Sequence, residues 1–494
     1  MRPPVVIVGA GPTGVTAAIL LARRGVDCVL LERHRGVYPL PRAVHLDDEV
    51  YRILQSAGVA EEFAAVTRPA LGLRLVDGRG RVLAEFARSR AVGPHGYPQA
   101  NMFDQPELEA LLRAEARRHP GIALRDGVEV LAVSAGARPR VTYRDLATGA
   151  ETELEAAAVL GCDGAGSLTR RAIGSPWRDL GFREEWLVVD ARCRTPLDEW
   201  DGVHQVCDPA RAATFMRIGA DRYRWEFQLR PSDPAPPLHE LLRPWTRDRE
   251  VELLRHTPYT FEAGVAGSWR DGRVFLLGDA AHLTPPFVGQ GMGAGLRDAA
   301  NLAWKLARVL RGQAREELLG TYQPEREAHV RALIRLAKTA GWAMTGGQGR
   351  AAVVRRLALG ALCRLPGVAE RALDTGTPAL PRGPLVVGRR LAGTLAPQPR
   401  VRVDGRECRL DDVLGEGFAV LTRTAPAGGL TALARRLEAP LLLLGPGGIE
   451  DDGTLRRWLG RAIAVVLRPD RTVLAASRSG ADLASGAWVR LVAR

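Results

Sequence analysis

Lysine is almost missing from this 494-residue chain. Lys305 and Lys338 are the only two, so nearly all of the 69 basic side chains are arginines. A net charge of +13 raises the question of a nucleic-acid partner. The arginines, however, are scattered in pairs such as Arg23-Arg24, Arg117-Arg118 and Arg355-Arg356, with acids interleaved and no aromatic-rich basic stretch. That pattern reads as the bias of a GC-rich genome, with mild attraction for anionic substrates, and no nucleic-acid partner is expected. Cysteine is sparse. Cys28, Cys162, Cys193, Cys207, Cys363 and Cys408 form no C-x-x-C and have no partnered histidines, so neither a metal site nor a disulfide framework is expected. No apolar run approaches the roughly eighteen residues of a membrane span. The chain opens almost directly on a core strand, leaving no room for a signal peptide, and a cytoplasmic protein is expected. No Ser/His/Asp or Cys/His constellation offers a nucleophile.

What is present is an ordinary globular composition, 46% hydrophobic and 25% charged, with room for two or three domains. Val5 to Val8 is a β-branched run that leads directly into Gly9-Ala10-Gly11-Pro12-Thr13-Gly14. Helical periodicity follows from Val15 to Arg24, and a second strand, Asp27 to Leu31, ends in Glu32 and Arg33. This is a dinucleotide fingerprint in context. Gly9 makes the tight turn, Gly11 lets the backbone approach a pyrophosphate, Gly14 permits close helix packing, and Glu32 is placed for a ribose. The motif alone leaves FAD and NAD(P) open. A second segment, Gly278-Asp279-Ala280-Ala281-His282-Leu283-Thr284-Pro285-Pro286-Phe287-Val288-Gly289-Gln290-Gly291-Met292-Gly293, follows the apolar run Val274 to Leu277. It puts one carboxylate at a strand end and a row of backbone N–H groups at a helix start, a surface suited to hydroxyls and negative charge.

Three features separate the cofactors: Arg42 in Leu40-Pro41-Arg42-Ala43, Asp163 in Cys162-Asp163-Gly164-Ala165-Gly166, and the Gly278-Asp279 segment. Together with the fingerprint they resemble the single-component FAD-dependent aromatic hydroxylases, over residues 4 to 340 and again near the C-terminus. The nearer likeness is to hydroxylases of 3-(3-hydroxyphenyl)propionate and related phenols. It is carried by Asp47-Asp48-Glu49, Phe103-Asp104-Gln105-Pro106, the Pro-Pro-Phe loop and Tyr322-Gln323-Pro324-Glu325-Arg326. The resemblance implies FAD held by Gly9, Gly11, Pro12, Thr13, Gly14, Glu32 and Arg33, with Arg42 and Gln105 at its pyrophosphate or ribityl region. It also implies Asp163 between FAD and the NAD(P)H path and Asp279 on the ribityl chain. Pro286, Gly289, Gly291, Met292 and Gly293 would lie beside the flavin, the last two amides facing N1 and O2. Relatives often carry Asn where this chain has Gly293, so only the backbone donor survives there.

The fold implied is α/β: a Rossmann-like FAD domain with an inserted substrate β-sheet, as in p-hydroxybenzoate hydroxylase, and a C-terminal thioredoxin-like domain. The expected boundaries are 1–180 for the first FAD part, with a piece of the substrate sheet near 70–100, 181–267 for the inserted sheet, and 268–378 for the second FAD part and helices. A linker at 379–400 then leads to a C-terminal domain at 401–494 that lacks C-x-x-C and so cannot do dithiol chemistry. A stretch from 346 to 378 is expected to be helical. In the inserted sheet Tyr223, Trp225 and Phe227 share one face, opposite Arg222, Arg224, Glu226 and Gln228, and that stripe either packs a core or roofs an aromatic substrate.

The resemblance further implies that NADH or NADPH reduces FAD and that O2 then gives a flavin C4a-hydroperoxide, which transfers one oxygen to a phenolic ring. Pro286 is expected at the substrate and peroxide contacts, and His204 and Tyr223 are candidates for the phenol. His282 is expected to be structural. Arg217 is a candidate for a substrate carboxylate. Baeyer–Villiger insertion or epoxidation of a polyketide-like compound on the same scaffold, and a flavin-binding protein without turnover, are the alternatives. The partner is a small aromatic molecule, and a homodimer is possible.

Overall fold

The computed structural model describes residues 2–39, 42–88, 91–230, 237–247, 249–345, 377–388, 390–426 and 428–493. The stretch expected to be helical from 346 to 378 lies outside the described residues apart from its last two positions, as does Cys363. The β-branched run Val5–Val8 forms the middle of a six-stranded sheet and is buried at all four positions. It pairs in parallel with Cys28–Glu32 on one side and Ala158–Gly161 on the other. Chain order therefore reverses at this strand, and the crevice beyond its carboxyl end is where doubly wound sheets bind ligands. The helix Pro12–Ala22 starts there, with Pro12 in its first turn. It packs against the 20-residue helix Gly291–Leu310, and both interact across small residues: a Cβ on Gly295 would lie 2.4 Å from Thr13 Oγ1.

A second sheet of eight strands lies across this crevice, in the order His282–Leu283, Glu252–Ala266, Trp177–Arg192, Arg222–Leu229, Ala213–Arg217, Val203–Val206, Gly72–Val76 and Val82–Ala87. Two strands of the early chain, Gly72–Val76 and Val82–Ala87, complete its far edge. The inserted sheet begins before residue 181, because Trp177–Arg192 is one continuous 16-residue strand paired along most of its length with Glu252–Ala266. Side-chain alternation makes this sheet two-faced. Tyr223, Trp225 and Phe227 pack with Phe215, Leu241 and Leu242 beneath the helix Leu238–Thr246. The aromatic stripe is thus a core, and Arg224 and Glu226 face the crevice instead.

The C-terminal unit holds a four-stranded sheet in the order Leu441–Leu443, Ala419–Thr422, Ala464–Leu467 and Val473–Ser477. The first two strands are parallel and flank the helix Gly428–Leu437, and the last two form an antiparallel hairpin. This unit is fastened to the FAD-type domain by buried charge. Arg468 Nη2 lies 2.9 Å from Glu325 Oε2 and 2.6 Å from Asp470 Oδ2, and Lys305 Nζ reaches the same Glu325 oxygen at 2.8 Å. Arg52 grips Asp411 through two nitrogens at 2.7 and 2.6 Å, and Trp304 meets Phe418 edge-on at 5.4 Å. No described helix is long and apolar enough to cross a membrane.

Burial works to raise the Glu325 carboxyl, but Arg468 and Lys305 outweigh it and hold the group at about 2, against 4.5 ordinarily. A carboxyl depressed in the folded state contributes stability above its unfolded value and loses it as pH falls. The apparent unfolding temperature should therefore drop as pH falls from about 4.5 toward 2, and Glu325→Gln should flatten that part of the profile in a thermal melt. At neutral pH, Glu325→Ala strands two buried cations and should cost about 3–5 kcal/mol. Removal of the exposed pair Arg140–Glu153 should cost under about 1 kcal/mol.

Candidate active site

Between the two sheets lies a cavity of about 780 Å³. At one end its floor is the glycine turn after the first strand. Gly9 has φ 98°, and a Cβ on Gly14 would sit 2.1 Å from Gly9 O, so those two glycines close the turn onto the helix. Gly11 differs: a Cβ there would meet nothing within 4 Å, and the residue lines the cavity with Pro12 and Thr13. The Glu32 carboxylate accepts from Ala10 N at 2.8 Å and from His34 N at 2.9 Å, and so stiffens the turn. Neither Glu32 nor the exposed Arg33 lines the cavity. Arg113 sits beneath, buried, with Nη2 3.2 Å from Ala10 O.

Opposite this turn, Leu277 leads into Gly278-Asp279. Asp298, fully buried on the long helix, accepts from Gly278 N at 3.0 Å, His282 Nε2 at 2.7 Å and Arg326 Nε at 2.8 Å. Burial would raise the Asp298 carboxyl, but His282 and Arg326 hold it below the ordinary range. The His282 ring is buried and held by Asp298 rather than directed into the cavity. Asp279 points into the cavity and accepts no hydrogen bond among the described residues. Burial pushes its carboxyl up, against the pull of His282 and Arg42. The helix Gly291–Leu310 begins at the same wall with no side-chain cap, so its first amides are available to a ligand, and Gly291 and Met292 line the cavity. Gly293 is one step back, against Val50 and Arg297. Pro286 and Gly289 frame the wall from the turn Pro286–Val288.

Arg42 and Gln105 also line the cavity. Gln105 Oε1 accepts from Arg42 N at 3.1 Å and Ala43 N at 2.6 Å, which fixes the Arg42 backbone, while the exposed Arg42 side chain lies 5.4 Å over the Tyr38 ring. The segment Asp47-Asp48-Glu49 acts through Arg297, whose nitrogens reach Asp47 at 2.6 Å, Glu49 at 2.7 Å and Gln290 at 2.9 Å. Burial would raise Asp47, but Arg297 holds it at about 2.

Besides Glu32 and Arg33, the candidates Asp163, His204, Tyr223 and Arg217 do not face the cavity. The Asp163 carboxylate turns away to accept from Ser167 Oγ at 2.6 Å, Thr169 N at 2.9 Å and Thr169 Oγ1 at 3.0 Å, because the following helix, Leu168–Ala172, starts there; only its neighbours Cys162 and Gly164 line the space. His204 places Nε2 2.9 Å from Trp200 O and packs edge-on against Trp200 and Phe215, since Val203 and Gln205 take the cavity side of its strand. Tyr223 is buried in the opposite core, where its hydroxyl accepts from Leu197 N. Arg217 is likewise turned, with Nε donating to Gly219 O. Three residues were not foreseen as site groups: Asp298, Arg113 and Glu226. The one local signal for Asp298 was a carboxylate within the helix that follows the glycine-dense loop.

The donors and space fit FAD: an open glycine turn for a pyrophosphate, an unpartnered carboxylate for ribityl hydroxyls, and a bare helix start for an electron-rich ring. Gly11→Ala should leave thermal stability unchanged and weaken flavin retention by at least about tenfold, since the methyl occupies ligand space rather than protein. Gly14→Ala should lower both, with an apparent stability loss above the roughly 1–3 kcal/mol of ordinary overpacking. Flavin absorbance per protein and a melting curve check the pair.

Residues 2–337 match the family described as FAD binding domain, and residues 393–487 match the HcaD C-terminal domain. A probable NADH-specific resorcinol 4-hydroxylase of Rhodococcus jostii (strain RHA1) is 33% identical, over 97% of this chain and 93% of its own. A 3-(3-hydroxy-phenyl)propionate/3-hydroxycinnamic acid hydroxylase of Burkholderia vietnamiensis (strain G4 / LMG 22486) is 37% identical, over 85% of this chain and 79% of its own. Among solved structures, aklavinone-11 hydroxylase in complex with FAD and aklavinone superposes with a TM-score of 0.82 at 25% identity, covering 99% of both chains. With the cavity, the glycine turn and the Asp279 wall all in place, the chain belongs to the family of FAD-dependent aromatic hydroxylases.

Proposed function

We propose that this protein is an FAD-dependent monooxygenase that uses NADH or NADPH and O2 to hydroxylate a small phenolic ring. The observation that carries the reading is the single cavity joining the glycine turn, Asp279 and the helix start to the inner face of the eight-stranded sheet. FAD supplies the chemistry: it takes two electrons from the nicotinamide and activates O2, one oxygen going to the ring and the other leaving as water. The protein's share is orientation, charge and exclusion of water. Gly11, Pro12 and Thr13 are read as seating the pyrophosphate, with Arg42 and Gln105 beside it. The Asp279 carboxylate is read as binding the ribityl hydroxyls, and the amides of Met292 and Gly293 as carrying negative charge on the reduced ring at a helix N-terminus. Pro286 is read as a rigid edge of the reaction space, beside Phe287, which is wedged at 5.8 Å from Phe182 and 6.0 Å from Trp186.

The C-terminal unit is read as thioredoxin-like, on its parallel pair joined by a helix and its antiparallel hairpin. Cys408 is its single cysteine, so it braces the FAD domain rather than exchanging electrons. A cytoplasmic location and a homodimer belong to the same reading.

The test is oxidation of NADH and NADPH by FAD-loaded protein with a panel of phenols, followed by product mass. The NADH-specific resorcinol hydroxylase makes NADH and resorcinol the first pair to try. The expected result is faster flavin reduction with a phenol and a product one oxygen heavier on the ring; an ester product, or no phenol effect with only peroxide formed, overturns the reading. Asp279→Ala should reduce FAD affinity by roughly tenfold or more, because a buried acceptor of ligand hydroxyls is lost. Titration of the apoprotein with FAD, followed by flavin fluorescence, measures it.

A further inference from the structure

On the sheet wall of the cavity, away from the glycine turn, one charged side chain receives no hydrogen bond among the described residues. Glu226 lies in the strand Arg222–Leu229, is about nine-tenths buried and lines the cavity. Its neighbours on the same face are committed elsewhere. Arg224 is held by both oxygens of Asp190, at 2.6 and 3.0 Å, and donates a third bond to Arg42 O at 2.9 Å. Arg224 Nη1 stays 4.0 Å from Glu226 Oε1, beyond a hydrogen bond. Arg255, across the sheet, is 3.9 Å from Asp190. Next to Glu226 in register, the Thr214 hydroxyl donates to Gln205 Oε1 at 3.1 Å, and Gln205 Nε2 donates to Ala213 O at 3.0 Å. Among the described residues, no side chain or amide donates to the Glu226 carboxylate.

A carboxylate buried this far is ordinarily hydrogen-bonded, and leaving it unmet is costly. Resting on the hydroxylase reading above, we propose that Glu226 accepts the hydrogen bond of the substrate's ring hydroxyl, and that the site selects uncharged, hydroxyl-bearing rings over aryl carboxylic acids. A carboxylate drawing on the phenol proton raises electron density on the ring, which an electrophilic oxygen requires. Burial also pushes the Glu226 carboxyl up, in excess of the pull of Arg224 and Arg255, as befits an acceptor waiting for a donor.

The selection follows from where the cations are. Arg224 is taken by Asp190, and the exposed Arg42 lies over Tyr38 at the end assigned to FAD. Arg88 lines the cavity as well, but at the far edge of the sheet. The row Glu226, Thr214, Gln205, Leu75 crosses three strand spacings, about 14 Å at ordinary sheet geometry, and Arg88 lies beyond it. A phenol seated on Glu226 therefore has no uncommitted cation of that wall within reach of a short carboxylate tail. A tail folded back would meet the Glu226 carboxylate itself.

The experiment titrates FAD-loaded protein with resorcinol, 3-(3-hydroxyphenyl)propionate and 1,3-dimethoxybenzene, reading the flavin absorbance change and NADH oxidation. Wild type should bind resorcinol at least about tenfold more tightly than either other probe. In Glu226→Leu the ratio of resorcinol to 1,3-dimethoxybenzene should collapse to about threefold or less, a comparison within one variant that general loss of stability does not move. Should the leucine variant not retain FAD, Glu226→Ala, which also lacks an acceptor, is read by the same ratio. Preference of wild type for 3-(3-hydroxyphenyl)propionate, or an unchanged ratio in the variants, overturns this assignment and leaves the hydroxylase reading standing. No flavin perturbation and no rate effect from any probe overturns both.

Discussion

Asp298 is the point from which the Asp279 wall of the cavity is built. One carboxylate, fully buried on the helix Gly291–Leu310, ties together the turn Gly278–Ala280, the strand His282–Leu283 and the helix Tyr322–Thr345. Each partner is needed by another part of the site. Gly278 N fixes where Asp279 projects, and Arg326 also reaches Ala294 O at 3.3 Å, holding the first turns of Gly291–Leu310 in place. A buried carboxylate survives only when it is surrounded by donors in good geometry, and three donors from three elements supply that. The arrangement explains why a helix start without a side-chain cap is tolerated: its position is set from behind, and its amides are left for a ligand.

The second sheet solves a different problem. A wall beside a flavin must present polar groups inward without unravelling, and strand alternation allows this if the opposite face is well covered. Trp225, Phe227, Phe215 and Tyr223 supply the cover together with the helix Leu238–Thr246. Their burial stabilises the strands that then carry Arg224, Glu226, Thr214 and Gln205 toward the cavity. The aromatic residues thus act by what they hold in place, not by facing the cavity.

Legibility in the sequence follows the range of the forces involved. Gly9, Gly11 and Gly14 each act within a few residues of one another, and their turn, close packing and open side are what the spacing implies. Asp279 at a strand end was readable for the same reason. Asp163 was readable as a motif but not in direction, because its carboxylate is captured by Ser167 and Thr169 as the next helix begins. The alternation of Tyr223, Trp225 and Phe227 was plain, yet which face meets the cavity depends on a helix some fifteen residues further on in the chain and on strands from residues 72–87. His204 fell on the wrong side for that reason. Glu226 was legible only as a polar position in an alternating strand, and its burial is a product of two domains closing on each other.

The C-terminal unit then acquires a physical reason to be there. The helices Gly291–Leu310 and Tyr322–Thr345 form the back of the Asp279 wall, and their outer faces carry Lys305 and Glu325, groups too costly to bury half-paired. Arg468 from the C-terminal hairpin completes that pair and brings Asp470, whose carboxylate also lies 3.2 Å from Trp304 Nε1. On the other side, Asp411 neutralises Arg52, buried on the helix Asp48–Ser56 that follows the Asp47 cap. Both contacts bear on elements whose inner ends line the cavity, so the C-terminal unit braces the cavity wall from outside.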